Sequence, residues 1–174
     1  MQYYITYHKL VEFMEDVQKQ SPRLNSFGHG NIVYFSETNS GTTAIYPYMF
    51  VTPTLITYNE NTTQYQLSIL FTDILNSDLS NEIDIISDMT IEAKNLLAQI
   101  RRGFLFDELD VELPATATPF MERFNDHVAG VQLDLTITIF DDINACVMYP
   151  TPEQIGTENE MGMTSESGIN LIEE

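Results

Sequence analysis

Val131-Gln132-Leu133-Asp134-Leu135-Thr136-Ile137-Thr138-Ile139-Phe140 is the stretch that decides the fold. Val131, Leu133, Leu135, Ile137 and Ile139 alternate with Gln132, Asp134, Thr136 and Thr138. A two-residue period over ten positions predicts a strand with one face in a core and one in water. Upstream, Tyr65, Leu67, Ile69 and Phe71 share one face while Gln64, Gln66 and Ser68 take the other, which predicts a second half-buried strand over 63–75. A third β-rich run covers 44–58, joined to the second through Asn59-Glu60-Asn61, a hairpin loop. Pro47 and Pro53 cannot donate ladder hydrogen bonds, so this strand belongs at an edge or carries a bulge.

Two helices complete the pattern. Ile83, Ile86, Met89, Ala93, Leu96, Leu97 and Ile100 form an apolar stripe over 80–102. Ser80 or Asn81 can cap that helix, and Arg101, Arg102 and Gly103 suit its end. Tyr3, Tyr7, Leu10, Met14 and Val17 mark an earlier helix over 3–20, widened by Phe13 and stopped at Ser21-Pro22. Residues 25–31 read as a glycine-bearing turn, 32–35 as a short β-prone run, and Asn39-Ser40-Gly41 as a turn. Leu109, Val111 and Leu113 alternate with Glu108, Asp110 and Glu112 in a strand over 104–113, and Pro114 to Pro119 reads as a loop. Residues 143–149 extend the last strand or fold back on it. The order predicts an α+β domain over 1–150, two helices packed on a mostly antiparallel β-sheet. Residues 151–174 follow as an acidic C-terminal extension, with six glutamates and no basic residue between 153 and 174.

Composition narrows the function. The chain has 174 residues, 26 acidic and seven basic, a formal charge of −19. That charge excludes general electrostatic affinity for nucleic acid, which depends on Lys and Arg neutralising phosphates. One cysteine cannot build a disulfide framework or a cysteine-rich zinc site. No apolar run reaches the roughly 18 residues of a membrane span. The N-terminus lacks a basic segment followed by a long apolar one, so we expect no signal peptide.

No catalytic, cofactor or metal site is expected. His8, His29 and His127 have no metalloprotease spacing, and Gly28-His29-Gly30 lacks the third glycine of a dinucleotide loop. Cys146 sits among Ala145, Val147 and Met148, which suits an inert buried thiol. Asp78, Ser80 and Glu82 resemble the start of a calcium loop, but Ile83 and Met89 occupy its glycine and glutamate positions. Helix capping explains them better. Glu108, Asp110 and Glu112 share one strand face, and a solvated face is the default. Tyr3, Tyr4, Tyr7, Tyr46 and Tyr48 serve equally well as core or as interface aromatics.

Residues 119–140 read PFMERFNDHVAGVQLDLTITIF: Pro-Phe, Glu122-Arg123-Phe124, Asp126, Gly130, then the alternating strand. Residues 71–102 add a strand ending in Asp73, then Asn81-Glu82 and a helix rich in Asp, Ala and Leu. Together these resemble small virion proteins of tailed phages that infect Bacteroidetes, including crAss-like gut phages. More widely they resemble phage tail-terminator and head–tail joining proteins. The resemblance implies a tail-terminator-like α+β domain without catalytic residues, located in the virion and assembled in the host cytoplasm. It implies a hexameric or dodecameric homo-oligomeric ring at the portal–tail junction, helping to join head to tail. Its partners would be portal, neck and tail proteins, with genomic DNA passing unbound and no membrane involved. Contacts expected under this reading are Tyr46, Tyr48, Phe50, Arg123, Ile169 and Leu171. The partner of Arg123 is a carboxylate within the subunit or on a neighbour. An alternative reading of the charge is an acidic DNA mimic that inhibits a nucleic-acid enzyme. A third, a metal-dependent enzyme built on Glu108, Asp110 and Glu112, lacks a nameable base or nucleophile.

Overall fold

The computed structural model describes residues 5–35, 44–102, 109–123 and 127–140. All of them fall in one compact unit, Met1–Ile143. The turn expected at 39–41, Cys146, the run 143–149 and the acidic extension lie outside the described residues, as do Tyr3, Tyr4 and Glu108.

The chain begins with helix α1, Tyr7–Gln20, capped by Thr6, whose hydroxyl accepts from the Lys9 amide. Thr6 has extended backbone, so the helix starts later than the tyrosine spacing implies. Leu10, Val11 and Met14 are its buried apolar residues. The expected turn at 25–31 contains strand β1, Ser26–His29. Gly28 reads as a turn residue in sequence, but here it makes room. A Cβ on it would collide with the Tyr48 hydroxyl and come within 2.9 Å of the Phe50 ring. The β-prone run 32–35 is a 3-10 turn, Ile32–Tyr34, because the Asn31 side chain accepts from the Val33 amide and caps it. A local side-chain bond thus overrides strand propensity.

Strands β2 (Tyr48–Tyr58) and β3 (Thr62–Ile74) form the expected hairpin, closed by the Asn59 amide donating to the Thr62 carbonyl at 2.8 Å. Pro53 sits at a register shift between Pro53 and Leu55, beyond the reach of β1. Helix α2, Glu82–Arg102, follows. Its buried stripe is Ile85, Met89, Glu92, Ala93, Leu96 and Ile100. Ile83, expected in that stripe, is 80% exposed. Asn81 does not cap with its side chain. Its Oδ1 accepts from the Asn76 amide and its Nδ2 donates to the Ile74 carbonyl, pinning the β3–α2 turn.

Strands β4 (Leu109–Val111) and β5 (Thr116–Arg123) precede β6 (Val128–Phe140). Part of the loop expected at 114–119 is therefore strand, with Pro119 in β5 opposite Val131. Both β4 and β5 run antiparallel to β6, on the edge that β3 leaves free. They act as one edge strand broken at residues 113–115. The six-stranded sheet runs β1-β2-β3-β6-β4, with β5 also on β6. Only β1–β2 is parallel, so the fold is α+β with a mostly antiparallel sheet.

One face of the sheet meets both helices. Met49, Val51, Leu67, Ile69, Phe71, Val131, Leu133 and Ile137 pack there against Leu10, Met14, Met89 and Leu96. On the other face, Phe35 and Ala44 pack on Tyr48, Phe50, Leu70 and Val128 at one end. Outside the sheet, the buried Glu92 carboxylate joins α2 to the α1–β1 turn. It accepts from the Ser21 hydroxyl at 2.9 Å and from the Arg23 guanidinium at 3.2 Å. Arg23 also lies 3.6 Å from Asp88.

Candidate functional site

Strand register lays out the uncovered face as rows across the sheet. Tyr48, Thr72, Gly130 and Phe120 form one row, and Phe50, Leu70, Gln132 and Thr118 the next. Then come Thr52, Ser68, Asp134 and Thr116. Leu55, Gln66, Thr136 and Glu112 follow, the last held by its amide donating to the Thr136 carbonyl at 3.0 Å. Thr57, Gln64, Thr138 and Asp110 end the series. The face grades from aromatic to hydroxyl and amide groups, and neither described helix lies over its polar end.

Tyr48 and Phe50, expected as partner contacts, have no exposed surface. They belong to this chain's own second cluster, where Phe35 stands 5.5 Å from Tyr48 and 5.6 Å from Phe50, ring centre to ring centre. Burial holds the Tyr48 hydroxyl far above the usual tyrosine range. Tyr46 is half-buried at the rim, 6.0 Å from Tyr48. A signal was present: residues 48–51 read as an unbroken apolar run, which marks a strand buried on both faces. Arg123 ends β5 opposite Val128, and its side chain lies outside the described part. Ile169 and Leu171 lie outside the described residues. Of the expected contacts whose side chains are described, only Tyr46 has exposed surface.

Two further features matter, and sequence reasoning missed only the second. The first is the free edge of β2, expected from Pro47 and Pro53. Beyond Val51, where β1 ends, residues 52–58 pair only with β3 among the described strands. Thr52-Pro53-Thr54-Leu55-Ile56-Thr57-Tyr58 carries no charge, and Leu55 and Tyr58 are 51% and 69% exposed. The opposite end of the sheet offers the outer edge of β5, which among the described strands pairs only with β6. Edge strands without charges are uncommon in chains that stay alone, since unpaired N–H and C=O groups recruit other strands.

The second is a cleft of about 420 Å³ in the polar end of the open face. Thr54 and Gln66 line it on one side, Asp134 and Thr136 on its floor, and Glu112, Leu113 and Pro114 on the other. Two irregularities flank it, the β2 register shift and the β4–β5 break.

Residues with chemistry elsewhere are spread out. His8 is exposed and pairs with Glu12 at 3.2 Å. His29 is held below the usual histidine range by burial. His127 lies at the β5–β6 turn with φ of 49°. Asp78 accepts from the Ser80 amide in a local turn ahead of α2. Among the described residues, no group of three or more His, Cys, Asp or Glu side chains is placed to hold a metal ion. No described helix is long and apolar enough to cross a membrane. No protein-family model matches the chain, and no curated protein matches it.

Proposed function

We propose that this chain is a ring-forming structural subunit of a tailed-phage virion, placed at the portal or neck–tail junction as a tail terminator or head–tail connector. The observation that carries the reading is the pair of unlike free edges on one sheet, β2 from Thr52 to Tyr58 and the outer side of β5. Unlike edges that pair make a heterologous, head-to-tail contact, and such contacts close into rings when the rotation permits. The likeness of residues 119–140 to phage head–tail proteins supports the setting, since that stretch supplies β5 and β6. The strongly acidic chain suits a conduit through which DNA passes without adhering.

Native mass spectrometry at rising protein concentration tests this reading. The expected result is a discrete hexamer or dodecamer. Leu55→Lys with Tyr58→Lys, which places charges on an edge already in solvent, should leave a folded monomer. A wild-type chain that stays monomeric at every concentration, indistinguishable from the double variant, overturns the edge-pairing ring.

A further inference from the structure

We propose that the open-face cleft holds an arginine or lysine side chain presented by a partner protein. The charge distribution argues for a cation. Glu112 and Asp134 both line the cleft, and among the described residues neither forms an ion pair. Among the described residues, each accepts from a neutral amide: Glu112 from Gln64 at 2.9 Å, Asp134 from Gln132 at 3.1 Å. A carboxylate has about four lone-pair sites, so acceptor capacity is left on both. No described basic side chain lines the cleft. Lys9 and Lys19 are on α1, Arg23 in the turn after it, Lys94, Arg101 and Arg102 on α2, and Arg123 at the far end of β5.

The shape argues for a long side chain. Glu112 stands opposite Thr136 and Thr116 opposite Asp134, so three residues, 113–115, span the single position of Leu135. The edge strand bows away from β6 there, and the space it leaves is the cleft. Leu113, 55% exposed, and Pro114 give it an apolar wall. An aliphatic stem can lie along that wall while its charged head meets a carboxylate of the cleft, Glu112 or Asp134, the division of labour that Arg and Lys show at interfaces. The planar guanidinium suits the site better, because its fork can meet a carboxylate with two hydrogen bonds while other N–H groups reach Thr136 or Gln66. This inference stands on the cleft alone and does not depend on ring formation.

The test uses the full chain and amide NMR, with N-acetyl-argininamide as probe and N-acetyl-citrullinamide as its uncharged isostere. The expected result is a saturable shift confined to residues around Glu112, Asp134 and Thr136, with citrulline binding at least about tenfold weaker because the charge-assisted bonds are gone. Glu112→Gln with Asp134→Asn should weaken arginine binding by about tenfold or more. Glu82→Gln with Asp84→Asn removes the same formal charge from the first turn of α2 and should leave binding unchanged. Equal binding of citrulline, equal loss in the α2 variant, or non-saturating shifts over the whole acidic surface would each overturn the proposal.

Discussion

Gly130→Ala should destabilise the protein, although simple backbone arguments say the reverse. Gly130 sits inside β6, between Thr72 on β3 and Phe120 on β5. A glycine in a strand interior costs about 0.5–1 kcal/mol relative to alanine, through the extra freedom it loses on folding. Its φ is not in the left-handed region, so alanine meets no conformational barrier there. From those facts alone the substitution would stabilise by about 0.4–1 kcal/mol. What opposes it is the approach of β3. A Cβ at this position would run into the carbonyl oxygen of Phe71 and lie 2.9 Å from the Thr72 Cα. All of the nearest atoms are backbone, and β3 is fixed between β2 and β6, so no side-chain rotation relieves the clash. Overpacking of this kind costs about 1–3 kcal/mol, and with no flexible neighbour the upper half applies. The net loss is then about 2 kcal/mol, or a fall of about 4–8 °C in the thermal midpoint for a chain of this size. Circular dichroism melts and urea titrations of the two proteins measure it. An unchanged or raised midpoint would refute the reasoning, since it would mean that the strands separate freely at this point.

Three further outcomes are expected. Glu92→Ala removes the buried acceptor shared by Ser21 and Arg23, and should cost about 2 kcal/mol by urea titration. That is below the roughly 3–5 kcal/mol of a fully buried pair, because Arg23 is half in solvent and regains water. A loss under about 0.5 kcal/mol would mean the network is not formed. Tyr7→Phe should be neutral or stabilise by up to about 1 kcal/mol, because the Tyr7 hydroxyl is buried without a hydrogen-bond partner while its ring stacks 6.0 Å from Tyr65. A marked loss of stability would reveal a partner for that hydroxyl. Burial raises the Asp73 carboxyl above its ordinary value, with the Ile74 amide opposing and Asp88 adding to the rise. A raised folded pKa penalises the ionised form, so Asp73 costs stability above that pKa, and the cost is relieved as pH falls through it towards the unfolded value. Asp73→Asn should therefore raise the melting temperature at neutral pH, and the gain should shrink on acidification. A gain independent of pH would contradict this assignment.

The sequence announces the central strands because each has one wet face. Along β6, Gln132, Asp134 and Thr136 look outward while Leu133, Leu135 and Ile137 look into the helices, and the alternation is visible without a structure. Helix α2 is legible for the same reason, except at its first turn. There Ile83 and Ile85 both fit a helical stripe, and only the position of the sheet selects Ile85. β1 is hidden because it is four residues long and contains a glycine, and a glycine that admits a neighbouring ring looks the same in sequence as one that turns the chain. β5 is hidden by Pro114 and Pro119. Proline speaks against an interior strand, but an edge strand needs no donor on its outer side, and β5 is an edge.

The interaction surface was harder to read, since a sequence pattern records which side chains avoid water and not which molecule shields them. Tyr48 and Phe50 avoid it under Phe35, within one chain, so an aromatic cluster that looked like a contact is a second core. Leu55 and Tyr58 resemble them in composition but stand in solvent, because β1 stops at His29 and covers β2 only as far as Val51. Four residues of strand length thus decide which part of β2 is core and which is edge. The same geometry separates stability from association. The larger core lies between the helices and one face of the sheet; Leu55, Glu112 and Asp134 are on the other face, and Tyr58, on the helix side at the sheet edge, stands mostly in solvent. Substitutions at those four positions should therefore change what the protein binds while its melting temperature stays within about a degree or two, since exposed sites shift stability by only about ±0.5 kcal/mol. A variant at the edge or cleft that unfolded the chain would show that this face carries part of the fold after all.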